Sequence, residues 1–297
     1  VFILVDTSYW IFYRYFAIMQ WWKHAKPDDH LFENPYDNEE FVEKFIKTFV
    51  ESLEGFKKKQ KLHKQRSKAA TPCTIIAARD CPRKEIWRNS LYNSYKETRD
   101  KDDSFMGGPF FKHIYQENNK LLYEAGVNHV LQFPTLEADD IIAITKKMIR
   151  QKYPEARIII LANDHDYLQL LDSYTQIINF QNKDLSESKK SFTEGKKNLF
   201  YKIVLGDKSD NILPIFKKCG PKTCEKYYEN QELFLQPYAL NGVVSWRVRP
   251  DIDLGLRYRY SAGMPYVPPI GSTYIASTDR YTPILDDTAS AALPAYQ

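Results

Sequence analysis

Residues 127–164, VNHVLQFPTLEADDIIAITKKMIRQKYPEARIIILAND, carry the pattern that decides the fold. Two short apolar runs, Val127–Phe133 and Arg157–Ala162, are typical of buried strands. The segment between them, Glu137–Tyr153, has the apolar spacing of a helix. A strand, a helix and a second strand in succession predict a parallel pair joined by a crossover helix.

The same alternation continues toward the N terminus. Val1–Val5 and Thr74–Ala78 are predicted strands, whereas Ser8–His24 and Asn38–Gly55 are predicted helices. We therefore predict an α/β fold in which helices cover a parallel sheet, and we expect the functional site beyond the carboxyl ends of the strands.

Acidic side chains follow these predicted strands. Like charges gathered at one edge of a sheet repel, so the folded protein must protonate some of them or bind cations. Carboxylates without a neighbouring set of His and Cys residues favour Mg²⁺ or Mn²⁺, and two such ions are typical of phosphodiester chemistry. The predicted metal ligands are Asp6, Asp80, Glu137, Asp139, Asp140, Asp164, Asp166 and Asp210.

The acidic motifs also have ordinary structural explanations. An acidic residue in the first turn compensates the helix dipole, which explains one of Glu137, Asp139 and Asp140 more easily than all three. Asn163 or Asp164 is equally suited to be the N-cap of a helix. We predict that His165 is a bystander, because Mg²⁺ prefers oxygen ligands.

Basic and aromatic residues lie near the acidic motifs. Arg88 and Lys96 follow Asp80 and are candidates to hold a phosphate, although a solvated helix explains each one as well. Tyr92 and Tyr95 are predicted to stack on unpaired bases. A later glycine-containing helical hairpin is predicted to grip a phosphate backbone, or else to be an ordinary hairpin with solvated lysines. Its predicted DNA contacts are Gly206, Ser209, Lys217, Lys218, Gly220, Lys222 and Thr223.

Composition bounds the class of protein. The chain has 297 residues, 43% of them hydrophobic, and a net charge of +4, which suits one large or two ordinary domains. Its four cysteines form no CxxC pair, so we expect reduced thiols. We find no secretory signal and no apolar run that would span a membrane, and we predict an intracellular protein, in cytoplasm, nucleus or a viral replication site.

The composition changes near residue 236. Residues 236–297 contain no Lys, Glu, Phe, His or Cys, yet they hold seven of the sixteen prolines. Residues 251–260 alternate in the manner of a strand. We predict a boundary at Leu235–Pro237, followed by a short β-like tail over 236–297.

The ordered motifs of residues 1–235 resemble the flap endonuclease and 5′-3′ exonuclease family, in the versions that large DNA viruses encode. The resemblance rests on Val5-Asp6, Arg79-Asp80, Tyr95-Lys96 with Arg99, Glu137-Ala138-Asp139-Asp140, Asp164-His165-Asp166 and Gly206-Asp207-Lys208-Ser209-Asp210-Asn211. It implies a PIN-like catalytic domain over 1–205, with Asp100–Lys112 in a helical arch or its crossing. It also implies a truncated helix–three-turn–helix subdomain over 206–235 that holds duplex DNA.

The resemblance also implies roles for individual residues. Lys96 and Arg99 would steer the phosphate at the arch, with Arg88 as an addition. Asp164, Asp166 and Asp210 would serve a second metal ion, and the other five acids the first. The implied reaction is two-metal hydrolysis of DNA at a flap or nick during replication or repair, with Mg²⁺ as cofactor. The hairpin has fewer glycines than is usual in the family, which puts its close contact with phosphate in doubt.

Other hypotheses remain. The same metal pair would suit the RNA strand of an RNA–DNA hybrid, and a non-catalytic DNA-binding module is a further alternative, although binding alone does not need so many carboxylates. Residues 236–297 resemble the terminal hairpins of TonB-dependent outer-membrane barrels. We expect this tail to be a foreign segment, joined by fusion or by an assembly artefact, or else a divergent extension. A piece of an outer-membrane receptor is disfavoured by the predicted thiols and the missing signal.

Overall fold

The computed structural model describes residues 1–27, 34–62, 72–91, 95–96, 105–189, 191–207, 210, 212–215 and 219–230, and the backbone of strands between 239 and 292. The chain divides into two units, Val1–Lys217 and Lys218–Gln297. This division falls inside the segment predicted as a helix–three-turn–helix. The predicted domain boundaries after residues 205 and 235 stay predictions.

The first unit alternates strands and helices over most of its length. Its elements are β1 (Phe2–Asp6), α1 (Thr7–Ala25), α2 (Glu39–Lys59), β2 (Thr74–Ala78), α3 (Arg88–Leu91), α4 (Gly108–Glu124), β3 (His129–Leu131), α5 (Ala138–Lys152), β4 (Ile158–Leu161), β5 (Thr175–Ile178) and α6 (Gly195–Leu205). Short 3-10 helices cover Pro35–Asp37, Arg83–Glu85, His165–Leu170 and Leu185–Glu187.

The five strands form one parallel sheet in the order β3-β2-β1-β4-β5. Strand β1 is central, and its Leu4 pairs with Ile76 of β2 and with Ile160 of β4. Strands β2 and β4 flank β1 and run parallel to it. The carboxyl ends of β1, β2 and β4 therefore lie next to one another. The predicted parallel α/β fold is confirmed.

Both faces of the sheet are buried, as a parallel sheet requires. Ile3 and Val5 point into a core that contains side chains of α1, α2 and α4, whereas Leu4 points into a second core that contains side chains of α5. The first core is rich in aromatic side chains, and Trp10 of α1 stacks on Phe49 of α2 with ring centroids 4.0 Å apart. These helices pack against β1, whose last residue, Asp6, is the first of the predicted acids.

Three elements differ from the sequence prediction. Strand β3 is shorter than Val127–Phe133, because the Asn128 side chain accepts a hydrogen bond from the Ile75 N–H at 2.7 Å where the strand would begin. Strand β5 was not predicted. Helix α4 was not predicted either, and it carries the fully buried Phe110 into the core. Of the segment predicted as the arch or its crossing, Asp100–Lys112, residues 100–104 lie outside the described residues, and residues 108–112 form the start of α4.

The second unit contains α7 (Pro221–Glu229) and the strands β6 (Ala239–Arg249), β7 (Ile252–Ser261), β8 (Pro265–Tyr266), β9 (Pro269–Ile275), β10 (Arg280–Leu285) and β11 (Ala291–Ala292). The described strands pair antiparallel as β6 with β7, β9 with β10 and β8 with β11. The β-like character predicted for the tail is therefore present. In the described part of the whole chain, no helix combines the length and apolar character needed to cross a membrane.

Candidate metal centre

The carboxylate of Asp6 lies at the end of β1 and at the N-cap of α1. One oxygen accepts a hydrogen bond from the Tyr9 N–H at 2.9 Å, and the other accepts one from the Tyr167 hydroxyl at 2.8 Å. Burial raises the pKa of Asp6 to about 7, and the nearby charge of Asp80 adds to the rise.

Asp80 joins the end of β2 to the first turns of α1 and α5 through hydrogen bonds of its carboxylate. It lies two residues after β2, and its carboxylate accepts a hydrogen bond from the Ser8 hydroxyl at 2.5 Å and one from the Ala138 N–H at 2.7 Å. Ser8 belongs to the first turn of α1, and Ala138 begins α5. Asp80 therefore fixes the position of the acidic start of α5 relative to Asp6.

Three carboxylates crowd the N terminus of α5. Oxygens of Glu137, Asp139 and Asp140 all lie within 4.8 Å of one another. Asp140 accepts from the Glu137 N–H at 3.1 Å, and Asp139 accepts from the Asp140 N–H at 2.7 Å. Burial raises the pKa of Asp139 to about 6, although the positive charge of Arg88 acts in the opposite direction. These carboxylates therefore cap the first turn of α5.

Two cationic side chains neutralise part of the negative charge of these three carboxylates. Arg88 makes two hydrogen bonds of 2.8 Å to Asp140 and one of 2.9 Å to Glu137. The Lys96 ammonium donates to Glu137 at 2.6 Å. Burial disfavours the charged form of Arg88, but its hydrogen bonds to Asp140 outweigh burial and raise its pKa. The two predicted phosphate-binding residues therefore lie directly on the carboxylates.

A second carboxylate group lies beyond β4. Oxygens of Asp166, Asp207 and Asp210 lie within 4.8 Å of one another, and Asp210 is buried. The ammonium of Lys202, in α6, contacts the Asp166 carboxylate and lies 2.8 Å from Asp207. Asp164 caps the adjacent 3-10 helix by accepting from the Asp166 N–H at 2.9 Å. Its predicted capping role is present, and this leaves one of its oxygens for a further partner.

Six of the eight predicted acids line a single pocket of about 430 Å³. Asp140 adjoins this pocket through Glu137, and Asp210 adjoins it through Asp166. Lys96 also lines the pocket. The six acids in its wall are Asp6, Asp80, Glu137, Asp139, Asp164 and Asp166. The tertiary structure therefore brings six of the eight carboxylates to one pocket and places the other two beside it.

Sequence reasoning missed Asp207 and Lys202. Asp207 stands beside the quoted Gly206 and is followed three residues later by Asp210, so the spacing of the two acids was an available signal. Lys202 has no such signal, because it reaches Asp166 only through the packing of α6 against the 3-10 helix.

One predicted DNA contact needs correction. Tyr95 is buried with Cys81 and Ile86, and its hydroxyl donates to Glu137 at 2.8 Å. Burial and this hydrogen bond raise the pKa of Tyr95 far above its usual value. Its ring is therefore not available to stack on a base, and it holds Glu137 in place instead.

The remaining predicted DNA contacts fall on both units. Gly206 has a φ of +72°, and a Cβ there would lie 2.6 Å from the Ile212 carbonyl oxygen, so the turn itself requires glycine. Gly220 precedes α7, and Lys222 and Thr223 are exposed in its first turn. Four predicted site residues, with Tyr92, lie outside the described residues: Arg99, Ser209, Lys217 and Lys218.

Comparison with known proteins agrees with this architecture. Residues 1–198 match the family model described as the 5′-3′ exonuclease, N-terminal resolvase-like domain. The chain belongs to this family.

A curated relative is DNA polymerase I of Deinococcus radiodurans, which is 32% identical over 158 residues. The match covers 51% of this chain but only 15% of that polymerase.

Solved structures of bacteriophage T5 proteins share the fold. The 5′-exonuclease with bound divalent zinc ions superposes with a TM-score of 0.52 at 16% identity, and the match covers 77% of this chain and 74% of that chain. A flap endonuclease variant in a pseudo-enzyme–product complex with DNA and metal ions gives a TM-score of 0.51 at 16% identity, with the same coverage. A T5 protein co-crystallised with metal ions gives 0.51 at 15% identity, again with 77% and 74% coverage.

Proposed function

We propose that this chain is a divalent-metal-dependent 5′ nuclease that hydrolyses phosphodiester bonds of branched, flap or nicked DNA. The observation that carries the proposal is that six carboxylates, from four separate parts of the chain, line one pocket, with the carboxylates of Asp140 and Asp210 beside it. Membership in the exonuclease family supports the same reaction class. The DNA in the T5 flap endonuclease complex supports DNA as the substrate.

The residues fit hard divalent cations. Every side chain in the two clusters offers carboxylate oxygen, and the raised pKa values of Asp6 and Asp139 mark carboxylates that lack sufficient positive charge. We propose Mg²⁺, with Mn²⁺ as a substitute. Asp6, Asp80, Glu137, Asp139 and Asp140 would hold one ion. Asp164, Asp166 and Asp210, with the newly located Asp207, would hold the second.

Bound ions of this kind supply an activated water nucleophile and neutralise charge that develops on phosphate oxygens. The protein's own residues do the positioning. Lys96 and Arg88 place two positive charges beside Glu137, where they attract the phosphate and stabilise its added charge. Tyr95 and Tyr167 hold Glu137 and Asp6 through their hydroxyl groups, so that neither carboxylate turns away.

The test uses the full chain and a flap duplex labelled at its 5′ end. Cleavage with Mg²⁺ or Mn²⁺, and none with EDTA, is the expected result. An RNA–DNA hybrid of the same sequence measures the preference between the two polymers. Failure to cut flap, nicked and hybrid substrates with either metal would overturn the proposal, and tight metal-dependent binding without cutting would identify a non-catalytic DNA-binding module.

A further inference from the structure

Helix α4 is broken near its middle by three residues with left-handed backbone conformations. Gln116 is extended, and the next three residues, Glu117, Asn118 and Asn119, have φ values of +47°, +55° and +68°. The left-handed region is unfavourable for residues other than glycine, although asparagine tolerates it better than most. A turn of this kind persists only where the surrounding structure holds it.

The Arg79 side chain holds this left-handed turn. Its guanidinium donates a hydrogen bond of 2.6 Å to the Asn119 side-chain oxygen, and the central carbon of the guanidinium lies 3.7 Å from the centroid of the Tyr115 ring. The Nε atom of Arg79 is buried and has no hydrogen-bond partner among the described residues. The guanidinium is therefore fixed by residues on either side of the turn.

The Tyr115 side chain is itself anchored to the ends of β1 and β2. Thr7 follows Asp6 and is fully buried, and its hydroxyl donates to the Ala78 carbonyl oxygen at 2.7 Å. Because the Thr7 proton is used there, the Tyr115 hydroxyl is the donor in its 2.9 Å hydrogen bond with Thr7. Arg79 and Tyr115 therefore form a packed support between α4 and the carboxyl ends of two central strands.

Arg79 and Asp80 are neighbours in the chain but contact different elements. Arg79 contacts α4, whereas the Asp80 carboxylate accepts hydrogen bonds from the Ser8 hydroxyl and the Ala138 N–H. The Arg79 N–H is bonded to the Leu131 carbonyl oxygen at 2.9 Å, so the side chain of Arg79 provides a second anchor for the same residue. A planar peptide unit joins Arg79 to Asp80, and a fixed Arg79 therefore limits how far the backbone of Asp80 rotates.

We propose that Arg79 is a positioning residue for Asp80, and that the left-handed turn of α4 provides its anchor. While the turn is intact, Arg79 is held and Asp80 stays between its donors, Ser8 and Ala138. When the anchor is lost, the Asp80 carboxylate gains freedom and holds a metal ion more weakly. The role in metal binding rests on the proposed nuclease function, whereas the position of Asp80 is measurable in the metal-free protein.

The Ala138 amide reports the position of Asp80 directly. Its N–H donates to the Asp80 carboxylate at 2.7 Å in the first turn of α5, where no intrahelical partner exists, so its hydrogen exchange measures this contact. The Tyr9 amide is the matched reference, because it donates to Asp6 at 2.9 Å in the first turn of α1. NMR spectroscopy of the full chain in EDTA follows the exchange of both amides.

Four single variants separate the outcomes. Arg79→Met removes the guanidinium, and Asn118→Val disfavours the turn at an exposed position, because a β-branched residue is strained in left-handed backbone. Asn118→Gly preserves the turn. Arg157→Met is the control, since Arg157 is also partly buried and donates to Gln60 and Gln176 at the start of β4, whereas the carboxylates follow its end.

Arg79→Met and Asn118→Val should each accelerate exchange of the Ala138 amide roughly tenfold, the effect of weakening one hydrogen bond, and leave Tyr9 unchanged. The double variant should show no larger effect, because both changes act through the same anchor. Asn118→Gly and Arg157→Met should match wild type. Unchanged exchange in Arg79→Met, or equal acceleration at Ala138 and Tyr9, would overturn the proposal. An effect of Arg79→Met without one of Asn118→Val would reject the role of the turn.

Metal binding and cleavage separate this inference from the proposed function. Calorimetric titration without DNA should show roughly tenfold weaker Mn²⁺ binding by Arg79→Met, a loss typical of residues that orient a metal ligand. Cleavage of the flap in Mg²⁺ should fall in kcat with little change in KM, because Arg79 acts on the metal centre. An uncut flap together with the expected exchange at Ala138 would reject the nuclease function alone. A flap that is cut by wild type while Ala138 does not respond to Arg79→Met would reject the positioning role alone.

Discussion

The Arg88 guanidinium and the Asp140 carboxylate form a two-point ion pair, in which both nitrogen-to-oxygen distances are 2.8 Å. Arg88 also reaches Glu137 at 2.9 Å, so a single cation serves two carboxylates at the start of α5. This geometry requires the planar fork of arginine, because the compact ammonium of lysine does not make two parallel hydrogen bonds.

We expect Arg88→Ala to destabilise the metal-free protein by about 2 kcal/mol, because it leaves partly buried carboxylates without their partner. Added Mg²⁺ should recover most of this loss, since the metal replaces the missing positive charge. Thermal melting in EDTA and in Mg²⁺ measures both effects. Arg88→Lys serves as the charge-preserving control. Its melting temperature in EDTA should lie between those of wild type and Arg88→Ala. A melting temperature equal to that of wild type in EDTA would contradict the structural role of the ion pair.

Asp139→Asn should reduce cleavage of a flap duplex at least a hundredfold, because it removes a negative charge from the proposed metal centre. Binding of the uncut flap should change little. The pKa of Asp139 is raised by burial, so the neutral amide is also expected to keep or increase the stability of the metal-free protein. Cleavage rates and melting curves test the two expectations. Normal cutting by the variant would remove Asp139 from the centre.

Lys202 occupies the carboxylates that are proposed to hold the second ion, since its ammonium contacts Asp166 and Asp207. We expect Lys202→Met to bind Mn²⁺ roughly tenfold more tightly, because the ammonium no longer competes with the ion for the same oxygens. Calorimetric titration of the metal in the absence of DNA measures this change directly.

The matched control for Lys202 is Lys146→Met. Lys146 pairs with Asp172 at 2.5 Å, outside the two carboxylate groups, and also lies partly buried. Its removal should leave the affinity for Mn²⁺ unchanged. Equal or weaker Mn²⁺ binding by Lys202→Met would mean that the ammonium supports the carboxylates instead of competing for them.

The stability of the metal-free protein should fall between pH 5 and pH 8. Burial raises the pKa of Asp6 to about 7 and that of Asp139 to about 6, whereas an unfolded aspartate titrates near ~4. The native state therefore holds protons that the unfolded chain has released, and stability declines as pH rises through this window. The effect is on the order of a few kcal/mol.

Melting temperatures in EDTA across this pH range test the expectation. Mg²⁺ should raise the melting temperature more at pH 8 than at pH 5, because protons compete with the ion at the lower pH. A metal-free protein that becomes more stable from pH 5 to pH 8 would contradict the raised pKa values. Asp172 does not obscure the result, because its contact with Lys146 outweighs burial and lowers its pKa to about 2.

The sequence by itself determined four of the five strands of the parallel sheet and most of the acidic set. The spacing of apolar residues and the length of an apolar run can be read from a short stretch of sequence. The elements β1, β2, β4, α2 and α5 were therefore predicted with small errors at their ends. Parallel strands bring their carboxyl ends together by geometry alone, and that is why Asp6, Asp80 and Asp164 were expected to converge.

Only the tertiary structure decided the partners of these acids. The contacts of Lys202 with Asp166, of Arg88 with Asp140 and of Tyr95 with Glu137 join residues far apart in the sequence, and no periodicity records such pairs. The same holds for the contact of Arg79 with Asn119, which are 40 residues apart. Side-chain contacts across elements depend on how the elements pack, whereas strands and helices depend on the order of apolar residues along the chain.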